Sequence, residues 1–167
     1  IAAFIAALTL AVAGYANLDD ITTVSGKSDR SIADTVATRE MKVTFLDVGQ
    51  GDGIYISSKD GANVFIDGGS SSVKKVGEYR ILPFLKSKRV SHIDYWFVSH
   101  TDEDHMNGLL EVMESGYKIN HLVISKYMIR DEAYDTLISC AEQQKIPILE
   151  MRKGDAVASK DFRIECI

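Results

Sequence analysis

His100, Asp102, Asp104 and His105 put four groups able to ligate a metal within six residues, in the run Ser99-His100-Thr101-Asp102-Glu103-Asp104-His105. Clustered carboxylates and imidazoles repel one another or stay unpaired unless a cation collects them. Imidazole mixed with carboxylate suits zinc, manganese or iron, and two ligands in each of two sets would allow a two-metal centre. The bland alternative is a solvated helix cap, with Asp102 or Asp104 accepting from the first turn of the helix that follows.

The flanking residues set the geometry. The apolar run Ile93-Asp94-Tyr95-Trp96-Phe97-Val98 reads as a buried strand that delivers the cluster to its end. In an extended segment His100, Asp102 and Asp104 project to one side, and His105 comes round if the chain turns there into a helix. Met106, Leu109, Leu110 and Met113 carry the spacing of one helix face, and Gly116 is a plausible stop. His92 and His121 each stand alone before a strand-like run and read as ordinary surface or strand-edge histidines.

The run from Ser99 to Leu109 resembles the metal-binding signature of the metallo-β-lactamase superfamily, in the variant with Asp at the second ligand position. Two upstream segments, Phe45-Leu46-Asp47-Val48-Gly49-Gln50-Gly51-Asp52 and Asn63-Val64-Phe65-Ile66-Asp67-Gly68-Gly69, are similar to the opening strands of the C-terminal, extracytoplasmic hydrolase domain of the ComEC family, the DNA-uptake channel proteins of competent bacteria. The resemblance spans residues 41–167. One departure is Asn107-Gly108, where the family often has Gly-Gly.

The resemblance implies a four-layer αβ/βα sandwich. It also implies two divalent metal ions, zinc or manganese, with His100 and Asp102 on one, Asp104 and His105 on the other, and Asp67 supporting the loop from behind. The family draws a bridging carboxylate and further histidines from the second half of its fold. No His follows His121, so residues 41–167 are expected to be the first half of such a domain. The implied activity is metal-dependent hydrolysis of DNA phosphodiesters during competence uptake, with DNA, the membrane and the DNA-uptake machinery as partners. Three other readings stand beside it: a secreted stand-alone metallohydrolase acting on a phosphocholine or other phosphoester, a non-catalytic binding or assembly module that retains the fold, and a metal-free regulatory domain, disfavoured because all four local ligands are present.

The chain has 167 residues, 46% hydrophobic and 26% charged, which is material for about one domain. Residues 1–18 carry no charge. As a helix they would run about 27 Å, close to the roughly 30 Å hydrocarbon core, so a transmembrane helix is expected. A signal peptide ending near Ala11-Val12-Ala13 competes with that reading, and a soluble buried helix is disfavoured because no polar stripe appears. Asp19 and Asp20 follow, and no Lys or Arg appears before Lys27, which is weakly opposite to a positive-inside flank, so the hydrolase domain is expected to face outward from the cell membrane. Residues 19–40 read as a linker.

A net charge of −5 argues against nucleic-acid binding by bulk electrostatics. Locally, Lys74, Lys75, Arg80, Lys86, Lys88 and Arg89 face only Glu78, and Lys74 and Lys75 are candidate phosphate contacts; the alternative is a solvated helix face. From residue 41 the pattern predicts a hairpin over 42–47 and 53–57, a third strand over 63–67, then helix 79–88, strand 93–98, helix 104–114, strand 121–125, helix 131–144, strand 146–150 and a terminal hairpin over 156–167. That alternation is an α/β fold. Cys140 and Cys166 make no disulfide framework.

Overall fold

The computed structural model describes residues 40–167. The transmembrane helix expected over 1–18, and all but the last residue of the linker, lie outside the described residues. Among the described residues no helix is long and apolar enough to cross a membrane.

Strands β1 (Lys42–Phe45), β2 (Gly53–Ser57) and β3 (Asn63–Asp67) form an antiparallel meander, with Phe45 opposite Ile54 and Gly53 opposite Asp67. From β3 the sheet turns parallel through β4 (Tyr95–Val98), β5 (Leu122–Ser125) and β6 (Ile148–Met151), giving six strands in sequence order. Helices α1 (Leu82–Ser87), α2 (Glu103–Glu114) and α3 (Glu132–Gln143) make the crossovers that parallel pairing requires. A π-helical turn, Gly77–Ile81, runs straight into α1. The last two strands, β7 (Ala156–Ala158) and β8 (Arg163–Glu165), pair antiparallel apart from the main sheet.

The strand period of two sorts side chains between the faces. Phe65, Trp96, Val98, Leu122 and Ile124 pack with Leu85, Leu109, Val112, Met113 and Leu137 from the helices. Their neighbours Val64, Ile66 and Val123 turn the other way and meet Val157 and Ile164 of the β7–β8 hairpin. The described residues therefore form one helical layer, one six-stranded sheet and a hairpin on the opposite face: a mixed α/β architecture, with the elements the sequence pattern predicted.

The helical face is the one that matters for the loop. Trp96 and Phe65 are fully buried and stacked at 4.3 Å between ring centroids. Each such side chain contributes about 1.5–3 kcal/mol on burial. The indole N–H of Trp96 donates to the Asp67 carbonyl at 2.7 Å, so the centre of the core fixes the end of β3.

Candidate metal centre

In a parallel sheet the strands deliver their C-terminal ends to one edge, and β3 and β4 bring Asp67 and Ser99 side by side there. Asp67 has φ +57°, a left-handed conformation that Asp adopts more readily than most residues. Gly68 and Gly69 follow. A Cβ on Gly69 would lie 2.4 Å from the backbone of Asp104 and His105, and one on Gly51 would lie 2.3 Å from the Gly69 carbonyl. Glycine at these two places lets three backbones meet: the β1–β2 loop, the end of β3 and the first turn of α2. The Asp52 N–H donates to the Asp104 carbonyl at 3.2 Å, and the Gly69 N–H to the Asp52 carbonyl at 3.2 Å. Asn107 clamps the same junction, accepting from Ser70 N at 2.9 Å and donating to Ser70 O at 2.7 Å.

Asp67 is buried, and its carboxylate organises the loop. Oδ1 accepts from Ser99 N at 2.8 Å and Oδ2 from the Ser99 hydroxyl at 2.9 Å. His105 Nδ1 lies 3.1 Å from the same Oδ2. A carboxylate only accepts, so in the neutral imidazole Nδ1 carries the proton and Nε2 keeps its lone pair. Ser99 passes the same constraint on. Its hydrogen is committed to Asp67, so its oxygen, 2.9 Å from His100 Nδ1, accepts from that ring. One buried carboxylate thus sets both imidazoles to present Nε2, the arrangement by which carboxylates orient metal-ligating histidines.

Those two nitrogens face carboxylates. His100 Nε2 is 3.5 Å from Asp102 Oδ2, His105 Nε2 is 4.0 Å from Asp104 Oδ2, and the two rings lie 3.8 Å apart. The structure places the four residues singled out in the sequence in two adjacent His–Asp pairs; among the described residues only His105 of the four belongs to a group of three ligand atoms within 4.8 Å of one another. Asp102 stands at the N-cap of α2, yet its side chain makes no capping bond and is 77% exposed. Asp131 at the N-cap of α3, by contrast, accepts from Tyr134 N at 2.9 Å. Capping is not what the Asp102 carboxylate does.

Sequence reasoning missed Asp52, Ser99 and Asn107. Asp52 Oδ2 lies 3.7 Å from His105 Nδ1, and Asp52, Asp67 and His105 offer atoms within 4.8 Å of one another, a set that could hold a cation; ligation through Nδ1, the nitrogen beside both carboxylates, requires the other tautomer and is an alternative to the Nε2 arrangement. Of the three, Asp67 already accepts twice from Ser99, whereas the Asp52 side chain is 61% exposed and open to further ligation. The signal for Asp52 was its place at the end of the Gly49-Gln50-Gly51 loop. Ser99 and Asn107 give no sign of their roles without the fold.

Lys74 and Lys75 lie on the loop before the π-helical turn, both exposed. Lys75 Nζ is bound to Glu78 at 2.9 Å, which holds the ammonium above its ordinary range and the Glu78 carboxyl below its own. Arg80 leans towards Asp47 at 3.9 Å. The basic run is therefore partly paired on the surface. Lys74, like Lys86, Lys88 and Arg89, has no ion pair among the described residues.

His92 and His121 sit at the other edge of the sheet, around Asp94. They do not approach the loop.

No family profile matches the chain. Over 141 residues it is 27% identical to ComE operon protein 3 of Bacillus subtilis (strain 168), an alignment covering 77% of this chain and 18% of that protein. The chain therefore spans under a fifth of the length of that relative, and the resemblance carried by the three motifs is borne out across most of the chain. Among solved structures, a diphosphatase from the PhnP family matches at 15% identity and a TM-score of 0.40, over 65% of this chain and 40% of that one.

Proposed function

We propose that residues 41–167 carry the metal-binding half of a metallo-β-lactamase-like, four-layer hydrolase domain, tethered to the cell membrane and facing outward, that cleaves DNA phosphodiesters during competence uptake. The observation that carries the metal centre is the relay from Asp67 through His105 and Ser99–His100, which leaves both Nε2 atoms presented towards carboxylates. DNA and the uptake machinery enter through the likeness to ComE operon protein 3.

His100 and Asp102 would hold one divalent cation, Asp104 and His105 a second, with zinc or manganese suited to the donor set. Bound there, two such ions supply Lewis acidity towards phosphate oxygens and acidify a water for in-line displacement. The chain supplies the rest. Asp67 fixes tautomer and ring orientation, the Asp52–Asp104 backbone bond fixes the first turn of α2, and Lys74 offers a phosphate contact outside the centre.

The test is hydrolysis by the intact protein, supplied with manganese or zinc, of single-stranded DNA, duplex DNA and a phosphocholine ester. Asp102→Asn keeps the shape and loses the charge that balances a cation, so DNA cleavage should fall by orders of magnitude while unfolding of the metal-free protein stays unchanged. Wild-type rates in Asp102→Asn would overturn the mechanism. Cleavage of the ester but not of DNA would overturn the DNA assignment and favour the secreted phosphoesterase reading. Metal uptake without hydrolysis of any of the three would favour a binding module.

A further inference from the structure

The Gly49-Gln50-Gly51 loop is held more firmly than a β1–β2 connection requires. The Gln50 N–H donates to Ser72 Oγ at 2.8 Å, and its carbonyl accepts from Ser71 N at 2.8 Å and Ser71 Oγ at 3.3 Å. Both flanking glycines have positive φ, +81° and +154°, and neither has room for a Cβ: one on Gly49 would lie 2.4 Å from Ser72 Oγ. The backbone of Gln50 is thus fixed against the Ser70–Val73 loop. Its side chain is left over, on an exposed residue and with no hydrogen bond to its amide among the described residues.

Gln50 stands two residues before Asp52, so the two Cα atoms lie within about 7 Å. Asp52 is the carboxylate 3.7 Å from His105. A primary amide on a pinned backbone, its own rotamers still free, therefore borders a cluster made otherwise of carboxylates and imidazoles. Amide donors suit that position. A carboxylamide N–H donates to a phosphate oxygen without the charge of a lysine, which would compete with a cation for the neighbouring aspartates.

We infer that Gln50 is a substrate-positioning residue, its side-chain N–H donating to a non-bridging phosphate oxygen of the phosphodiester held at the 100–105 loop. This rests on the phosphodiester reading above. The pinned backbone fixes where the side chain starts, so binding has only the side-chain rotamers left to order. The Ala variant should fold normally, because the side chain makes no bond that folding needs and Gln50 is not among the positive-φ residues.

The experiment loads the intact wild type, Gln50→Ala and Gln50→Glu with manganese and measures metal content together with affinity for a short phosphorothioate oligonucleotide that resists cleavage. Gln50→Ala should keep full metal content and bind about ten- to a hundredfold more weakly, the effect of one hydrogen bond to a charged acceptor. Gln50→Glu, of the same shape, should bind more weakly still, because a carboxylate repels the phosphate; a merely structural role would favour this near-isostere over Ala. Equal affinity in the wild type and Gln50→Ala overturns the assignment and leaves the metal centre standing, as does a metal-loaded wild type that does not bind the oligonucleotide. A wild type that takes up no metal overturns the metal centre, and the role of Gln50 falls with it.

Discussion

The two edges of the parallel sheet carry the same residue types and use them in opposite ways. At the N-terminal edge Asp94 accepts from Asn63 N at 2.8 Å and Asn120 Nδ2 at 3.1 Å, and His92 Nε2 lies 3.3 Å away. His121 stacks on Tyr95 at 5.2 Å and meets the Asp94 carbonyl through Nδ1. That carboxylate ties the start of β4 to its neighbours. At the C-terminal edge one carboxylate, Asp67, is fully engaged, and it holds two imidazoles in place beside three others, Asp52, Asp102 and Asp104, that no Lys or Arg among the described residues pairs. A His–Asp cluster is therefore no sign of a metal by itself. The sign is an engaged carboxylate beneath a set of open ligands.

Conservative substitution of the two central carboxylates should separate the edges most sharply. Asp67→Asn tolerates the positive φ but puts an N–H against Ser99 or His105, both donors towards that site. Metal affinity should fall about 10- to 100-fold, the usual effect of losing a carboxylate behind a ligating histidine, and stability should fall by about 1–3 kcal/mol. Asp94→Asn should lower stability alone and leave metal affinity unchanged, as read by denaturant unfolding and metal titration. A loss of metal affinity in Asp94→Asn would erase the contrast.

The backbone junction gives the next effect. Gly69→Ala drives a methyl into the Asp104–His105 peptide, 2.4 Å away, and should cost about 1–3 kcal/mol in urea unfolding through overpacking alone. It should also weaken metal binding by displacing the first turn of α2. Gly116→Ala, where nothing lies within 4 Å, should carry only the strain of its φ of +73° and leave metal binding intact.

Phosphate contacts should matter less. Lys74→Ala should raise the apparent KM for DNA and flatten its salt dependence with little change in kcat, because a distant contact binds substrate and transition state alike. Lys75→Ala should do less, since its ammonium is already paired with Glu78.

The smallest effect lies away from both edges. Asp60 in the β2–β3 turn accepts from the Ser58 hydroxyl and from Lys160 N at 3.1 Å, and the serine bond is the main reason its carboxyl is held down at about 2. A folded value below the unfolded one, about 3.9, means the stabilisation is complete above the unfolded value and is lost as pH falls towards 2. The group is exposed to solvent, so the slope should be shallow. Asp60→Asn should remove it, as seen in denaturation midpoints measured between pH 5 and pH 2.

Most elements, and the place of the four loop residues between a strand and a helix, were legible because each rests on local signals. The alternation of apolar residues marked β1 to β3, the 106/109/110/113 spacing marked α2, and Gly116 marked its end. The expected strand over 93–98 is shorter in the structure, Tyr95–Val98, because Ile93 and Asp94 form the edge contacts with Ile119, Asn120 and Asn63 instead. What was not legible depends on contacts distant in sequence. Ser99 and Asp67 lie 32 residues apart, and Asn107 and Ser70 lie 37 apart. Nothing in a lone serine or asparagine announces such a partner. The π-helical turn was equally hidden, since Gly77–Ile81 carries an ordinary helical pattern and departs from it where Gly77 packs against the Gly108 carbonyl of α2.

The most direct measurement is the metal content of the intact protein, dialysed against manganese or zinc, beside His100→Ala/Asp104→Ala and His92→Ala/His121→Ala. Two equivalents in the wild type and in the His92/His121 variant, with none retained by the His100/Asp104 variant, is the predicted result. A wild type that holds no more metal than His100→Ala/Asp104→Ala would contradict the account.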